Sequence, residues 1–246
     1  MAKPAVGSQN AQPSQGLRPL PASLKNHPTM KSLFFIFFSC LILISCATKV
    51  TGNHKIELEK ELGEMAEIDQ IAAYIPQGKY KEYTQQQWAK FKDSVFTNNK
   101  KKSEGYFNKY GFLGFDKVGK EGSYHFWQVV QHCDKYPEFQ DKVLKVMDKE
   151  VKKGNANPIN YAYLYDRVKL SKGEKQRFGT QVIYEIKTTG RALVKNGLID
   201  SVNIDKIRKE YNLGTLKEYL NQQTISHFEM NKQHYTELGI IKPNLY

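Results

Sequence analysis

The chain has 246 residues with 40% hydrophobic and 12% aromatic content, which is enough to bury a core and too much for a largely disordered protein. Its net charge is +12, a value that favours solubility and loose association with anionic surfaces. The lysines alternate with acids in stretches such as "KIELEKELGE", and no basic recognition helix is evident, which argues against nucleic-acid binding.

A targeting segment begins at Met30. Lys31 supplies a short positive region, and residues 33–45 form an apolar run that is typical of a signal peptide and short for a membrane span. The run ends in "LISC", which resembles the lipobox of bacterial lipoproteins and marks Cys46 as the acylated residue. A short buried core helix is the alternative interpretation of the run.

The chain upstream of this segment is rich in Pro, Gln and Ser and contains no acid, so we interpret it as an over-extended start, with Met30 as the true initiator. After the signal peptide, a short polar stretch precedes the first helical pattern. The chain therefore divides into an over-extended N-terminus at 1–29, a signal peptide at 30–45, a tether at 46–54 and a single α-rich domain at 55–246.

The cysteines agree with this division. Cys40 is removed with the signal peptide, Cys46 carries the lipid, and Cys133 is left as a single thiol, so no disulfide framework is expected. Ala47 follows the acylated cysteine where an Asp would redirect sorting. We expect a protein of the bacterial cell envelope, bound to the membrane through the lipid at Cys46 and sorted to the outer membrane, facing the periplasm.

Helical spacing of apolar residues recurs through the domain, and turn or cap residues separate the segments. Thr84 and Asn157 are candidate N-caps, Pro137 and Pro158 open helices, and Gly154 closes one. The predicted helices are 56–75, one from 85 onward, 121–133, 137–153, 158–169, 204–210 and 215–238.

The pattern changes after Gly173. The stretch "GTQVIYEIK" alternates and is rich in β-branched residues, and "RALVKNGLID" follows after a short turn. These two stretches predict an antiparallel pair of strands. The predicted fold class is therefore mainly α, a helical domain with one short antiparallel β-hairpin in the C-terminal third.

Two histidines lie on the predicted third helix. His125 and His132 are seven residues apart, so they share a face but stand about 10 Å apart along the axis, too far to bind one metal ion. Neither has a His or acid four residues later, as in a zincin motif, so we expect no metal. The sequence has no Gly-rich phosphate-binding loop, so we expect no cofactor. Cys133 points about 100° away from His132, which disfavours a Cys–His pair and predicts a thiol packed as a small hydrophobe.

His132 is a candidate acid/base, or alternatively a capping or core-edge histidine. Asp166 and Arg167 diverge on the predicted fifth helix, so each needs a partner elsewhere. Asp166 could fix the tautomer of His132, and Arg167 could clamp an anionic group; a structural salt bridge is the alternative. Gln176 and Gln181 have the donors and acceptors to satisfy loop backbone groups.

Taken together, the motifs resemble a bacterial family known as domain of unknown function 6624, over about residues 67–220. The resemblance implies a helical fold with a short hairpin and converging polar residues, without an established activity. Ile71 stands where the family pattern tends to have Arg, and Cys133 where it prefers a small residue. The matching residues are Asp69-Gln70, Tyr110-Gly111, Val118-Gly119, Gln131-His132-x-Asp134, Gln140, Ala162-Tyr163-Leu164-x-Asp166-Arg167-Val168, Gly173, Gln176-x-Phe178-Gly179-Thr180-Gln181, Asp205-x-x-Arg208 and Leu213-Gly214.

We expect these residues to form a polar pocket on an envelope lipoprotein that binds an unknown small molecule or envelope partner. The alternative is a hydrolase or transferase in which His132 is the general acid/base, Asp166 orients it and Arg167 holds an anionic group. The predicted catalytic residues are thus His132 and Asp166. The predicted ligand-binding residues are Gln131, Asp134, Arg167, Gln176 and Gln181.

Overall fold

The computed structural model describes residues 50–246, and the structural statements below concern that part of the chain. The predicted signal peptide, the predicted acylation site Cys46 and the N-terminal extension lie outside the described residues. The elements in chain order are α1 (Asn53–Ala73), α2 (Gln85–Tyr110), α3 (Phe115–Gln131), α4 (Pro137–Lys152), α5 (Pro158–Ser171), β1 (Val182–Tyr184), β2 (Ala192–Val194), α6 (Ile204–Glu210), α7 (Leu216–Met230) and α8 (Lys232–Glu237). The mainly helical class with one short hairpin is confirmed.

Local capping explains where several helices begin. Thr84 accepts from the backbone N–H of Gln87 at 3.2 Å while the Gln87 side chain accepts from the Thr84 N–H at 2.8 Å, a capping box that starts α2. Asn157 caps α5 through the Ile159 N–H at 2.8 Å. Thr215 and Glu218 form a second capping box, which satisfies backbone N–H groups at the start of α7.

The main core lies between α1, α2 and α3 on one side and α4 and α5 on the other. α1 packs chiefly against α3 and α2, and α4 packs chiefly against α5. Leu62, Leu113, Phe126, Met147 and Leu164 are all almost completely buried. Burial of each such side chain contributes about 1.5–3 kcal/mol, which makes this core the dominant stabilising feature of the helical domain.

Helix α3 is broken near its start. Val118 (φ −135°, ψ 20°) and Gly119 (φ 63°, ψ −178°) leave helical geometry, and a regular helix resumes after them. The positive φ at Gly119 requires a residue without a Cβ. The predicted start at Glu121 therefore corresponds to the second, regular segment, and the irregular first turn begins earlier, at Phe115.

The ends of the chain differ from the expectation in two places. α1 begins at Asn53, inside the predicted tether, and Val50 is already buried against the core. The predicted helix 215–238 is divided at Asn231 (φ −122°, ψ 26°) into α7 and α8. The Asn231 side chain donates to the His227 carbonyl at 2.8 Å, and this local bond competes with continuation of the helix.

The hairpin lies against α7. Val182 pairs with Val194 and Tyr184 with Ala192 in antiparallel register. Thr224 on α7 accepts from the Ala192 N–H at 3.0 Å, which ties the helix to β2. None of the helices between residues 50 and 246 is both long enough and apolar enough to cross a membrane.

Candidate functional site

His132 is held by a buried carboxylate from another helix. It caps the C-terminus of α3, and its Nδ1 is hydrogen-bonded to Oδ2 of Asp69 on α1, whose side chain is fully buried. Asn99 on α2 donates to Oδ1 of Asp69 at 3.4 Å and to the Met65 carbonyl at 3.1 Å. The amide of Gln70 lies 3.5 Å from Oδ2. Side chains from α1 and α2 thus fix the imidazole at the end of α3.

This arrangement favours one tautomer of His132. A carboxylate is a hydrogen-bond acceptor, so its bond to Nδ1 favours the imidazole form that carries the proton on Nδ1. In the neutral ring, Nε2 is then a bare acceptor. Nε2 has no hydrogen-bond partner between residues 50 and 246, and it is not among the buried unpartnered atoms. With 18% of its side chain exposed, His132 presents Nε2 to solvent.

A small cavity lies beside the exposed edge of His132. Its volume is about 180 Å³, and the Phe96 ring packs 5.8 Å from the imidazole centroid. Drug-sized ligands occupy pockets of about 300–1,000 Å³, so this cavity fits only a small group or one end of a larger ligand. The lining residues are Phe96, Thr97, His132, Asp134, Lys135 and Tyr136.

Asp134 and Arg167 form an ion pair at the edge of this cavity. The Arg167 guanidinium donates to Oδ2 of Asp134 at 2.8 Å, and the Gln140 amide donates to Oδ1 at 3.2 Å. The same Gln140 amide caps the end of α3 by donating to the carbonyls of Val130 (3.2 Å) and Gln131 (3.0 Å). Gln140 is fully buried, so it fixes the position of the Asp134 loop relative to His132.

Asp166 does not bind His132, contrary to the expectation. Its fully buried carboxylate accepts from the backbone N–H groups of Arg177 (2.8 Å), Phe178 (3.2 Å) and Thr180 (2.9 Å) and from the Thr180 hydroxyl (3.0 Å). Burial raises the pKa of Asp166, and the four donors oppose that rise. The residue therefore holds the loop that precedes β1.

The two predicted glutamines belong to this second network. The Gln176 amide donates to the carbonyls of Gln181 (2.8 Å) and Lys195 (2.6 Å) and accepts from the Gln181 N–H at 2.9 Å. Arg208, almost fully buried, donates to the carbonyls of Phe178 (2.6 Å) and Gly214 (2.7 Å). Every one of these bonds ends on the backbone, so the network holds the fold of the loop and hairpin.

The seven predicted site residues thus form two separate groups. Gln131, His132, Asp134 and Arg167 surround the end of α3, whereas Asp166, Gln176 and Gln181 support the loop before the hairpin. The orienting residue that the sequence analysis missed is Asp69. It was available in the Asp69-Gln70 motif, but no spacing rule links a residue on α1 to one 63 positions later.

One further side chain, Cys133, does not take part in the chemistry of the site. Cys133 is buried, its thiol donates to the Val129 carbonyl at 3.4 Å, and burial raises its pKa to about 12. A thiol with that pKa is not a nucleophile at neutral pH, which agrees with its predicted packing role. Over residues 50–246, no three His, Cys, Asp or Glu side chains are grouped so that they could hold a metal ion.

The comparison with known families covers both networks. The model of a family of unknown function, DUF6624, matches residues 56–226. The chain belongs to the DUF6624 family. No curated protein and no solved structure matches this chain. The matched range of this DUF6624 chain includes Asp69, His132 and the whole Asp166 loop, so both arrangements lie within the domain that defines the family.

Proposed function

We propose that this chain is a lipid-anchored envelope protein that binds a small ligand at His132 through a hydrogen-bond donor of the ligand, such as a hydroxyl or ammonium group. The observation that carries this proposal is the open Nε2 of an imidazole whose other nitrogen is fixed by buried Asp69. A fixed acceptor beside a cavity recognises a donor with little loss of side-chain entropy.

The surrounding polar groups support binding because most are already paired. Asp134 is bound to Arg167 and Gln140, and Lys135 is paired with Asp93. The Tyr136 hydroxyl lies 3.4 Å from the Thr97 hydroxyl. Nε2 of His132 is therefore an acceptor at the cavity with no hydrogen-bond partner among residues 50–246.

The anchor is supported by the sequence of the targeting segment. The apolar run after Lys31 and the "LISC" pattern support acylation of Cys46, a residue seven positions before α1 begins. Stable attachment to a membrane takes more than one acyl chain or an added polybasic patch. A protein attached in this way would present the His132 cavity in the periplasm, where small envelope metabolites are the available ligands.

A second candidate function is a hydrolase or transferase with His132 as general acid/base. The Asp69–His132 pair favours it because a carboxylate at Nδ1 both orients the ring and stabilises the imidazolium that forms when Nε2 takes a proton from water or a substrate hydroxyl. In this version Asp69 takes the orienting role that was expected of Asp166.

The binding proposal is tested by NMR on protein with ¹⁵N-labelled histidine. Fragments of about six non-hydrogen atoms that carry a hydroxyl or ammonium group are titrated, since a cavity of about 180 Å³ has room for roughly six waters at about 30 Å³ each. We expect binding fragments to shift the Nε2 resonance of His132 and not that of His125. His132→Gln should abolish binding while the protein stays folded.

The same fragments separate the two candidate functions. Suppose that a fragment that binds wild type is converted to product, and that Asp69→Asn lowers the rate of conversion far more than the affinity. The protein is then the hydrolase or transferase and not a binding protein. If binding is unchanged in His132→Gln, or if no fragment moves the His132 resonance, both candidate functions at this site are excluded.

A further inference from the structure

A much larger groove lies between α1 and α2, separate from the His132 cavity. Its volume is about 870 Å³, which is in the range of sites that hold a complete small ligand. Met65 and Val95 form a buried apolar floor, and the half-exposed side chains of Ile68 and Phe91 extend it to one end. A mainly apolar lining with a few polar groups is typical of pockets that hold small ligands.

The middle of the groove contains a buried acceptor with no partner. Asn99 is only 5% exposed, and its Nδ2 is used by the Met65 carbonyl and Asp69. Its Oδ1 has no hydrogen-bond partner between residues 50 and 246, and it is not an enclosed atom, so it is accessible from the groove that Asn99 lines. The groove becomes polar from this point toward the C-terminus of α2.

The polar end carries unneutralised positive charge. Lys102 is paired with Glu61 at 2.6 Å, and Glu64 is near Lys60 at 3.8 Å. Lys101 and Lys109 line the same end and have no carboxylate partner in the part of the chain that the structure describes, residues 50–246. The Lys109 ammonium lies 4.9 Å from the centroid of the Tyr110 ring. These two lysines outnumber the one further carboxylate of this end, that of Glu64, so the charge there favours an anionic group.

The apolar end continues into a second cleft. The ring of Phe91 packs 4.8 Å from that of Tyr80, which lines a cleft of about 400 Å³ together with Ile71 and the strongly exposed Ile75. From Phe91 to Lys109, α2 rises about 27 Å at about 1.5 Å per residue. One acyl chain covers about half of a 30 Å bilayer core, so the groove is long enough for a single chain and its headgroup.

We propose that the groove between α1 and α2 binds a single-chain anionic amphiphile, with its chain along Met65, Val95 and Phe91 and its headgroup at Lys101 and Lys109. The polarity gradient of the groove carries this assignment: an apolar floor at one end, an open acceptor in the middle and free cations at the other. This site does not use His132 and stands independently of the function proposed above.

Gly105 offers a way to fill the groove without damaging the fold. A Cβ added at Gly105 meets no atom within 4 Å, and the residue lies inside α2, five residues before its end, where replacing Gly improves helix propensity. Gly105→Trp therefore blocks the groove while favouring the helix. Asn108→Trp, on the same helix and exposed but outside the groove, is the matched control.

The test is isothermal titration calorimetry of the folded chain with dodecanoate below its micelle concentration. We expect Gly105→Trp to weaken binding at least 10-fold and Asn108→Trp to leave it unchanged. The double variant Lys101→Glu/Lys109→Glu should weaken dodecanoate at least 5-fold but not dodecyltrimethylammonium, with exposed Lys142→Glu as the charge control. His132→Gln should have no effect.

Three results would overturn the proposal. One is an affinity for dodecanoate that Gly105→Trp does not change. Another is equal binding of the anionic and cationic amphiphiles, which would remove the role of the two lysines. The third is binding to anionic phospholipid vesicles without binding of free dodecanoate, which would make the region a membrane-contact surface. Loss of binding at His132 alone leaves this proposal intact.

Discussion

Two fully buried carboxylates have different partners in this protein, and the partners decide what each can do. Asp69 is hydrogen-bonded to a histidine whose other nitrogen is open to a cavity, so it can influence a ligand through the imidazole. Asp166 is hydrogen-bonded to three backbone N–H groups and a hydroxyl, so all of its partners belong to the fold. Of the two carboxylates, only Asp69 is therefore arranged to act on a ligand.

Asp166→Asn should therefore destabilise the protein without a direct effect on the His132 cavity. The amide would direct an N–H toward one of the loop donors and weaken bonds to a charged acceptor, at a cost of about 2–4 kcal/mol in the free energy of unfolding. Chemical denaturation of wild type and variant measures this difference.

The matched variant for that experiment is His132→Gln, at a partly exposed side chain. It should change the free energy of unfolding by less than Asp166→Asn does while it removes ligand binding. If Asp166→Asn unfolds at the same denaturant concentration as wild type, the four bonds to its carboxylate do not stabilise the loop and the structural role is excluded.

The sequence located the candidate site better than it assigned partners within it. His132, Asp134 and Arg167 do lie together, because Arg167 on α5 donates to Asp134 in the turn between α3 and α4. The pairing of Asp69 with His132 could not be deduced, since it depends on how α1 crosses α3. Asp166 was expected to fix the tautomer of His132, but its partners are backbone N–H groups of the loop before β1, which no sequence pattern indicates.

At the scale of elements, the C-terminal hairpin depends on the packing of α7 and α8. His227 on α7 stacks on Tyr184 of β1 with ring centroids 3.7 Å apart. Its Nδ1 is 3.0 Å from the hydroxyl of Tyr235 on α8, and Tyr235 is fully buried. The imidazole thus joins three elements, and the neutral ring can accept a hydrogen bond from the Tyr235 hydroxyl.

This position predicts a pH dependence of stability. Burial lowers the pKa of His227 below its usual 6.5, so the unfolded chain binds a proton more readily than the folded one. The stability that the neutral ring provides is present above about pH 6.5 and is lost as the pH falls through the lowered pKa. We expect the thermal midpoint to fall between pH 7 and pH 5, and to fall less in His227→Gln.

The control for the pH series is His234→Gln, because His234 is exposed on α8 and should leave the slope as it is in wild type. A slope that is the same in wild type and His227→Gln would show that His227 does not contribute to acid destabilisation, and the contact with Tyr235 would then be unimportant for stability.

The elements themselves were largely predictable, for local reasons. Capping at Thr84 and Asn157 and the first-turn prolines act within a few residues, so the starts of α2, α4 and α5 follow from the sequence. The break at Asn231 does not follow from periodicity, because the apolar spacing runs across it. There the Asn231 side chain donates to the His227 carbonyl, and Tyr235 of α8 packs on Phe228 of α7 with ring centroids 5.5 Å apart.

At the scale of the whole molecule, the helical domain and the proposed targeting segment have separate parts in the function we propose. The His132 cavity and the α1–α2 groove are both lined by residues of the helical domain. Val50 packs into the core, so few residues separate the domain from Cys46. An acyl group at Cys46 would consequently hold the domain close to the membrane surface.

Cys46→Ser should release the protein from the membrane when the full chain is expressed in a bacterial host. Wild type should sediment with membranes and resist 1 M salt but not detergent, because acyl-chain insertion is hydrophobic and is not screened by ions, whereas attraction of the basic domain to anionic lipid is. Cys40→Ser, in the apolar run that precedes Cys46, is the matched control and should still sediment. Intact mass measurement should show acylated protein for wild type and Cys40→Ser only. If Cys46→Ser stays bound to the membrane in 1 M salt, a lipid at Cys46 is excluded as the anchor.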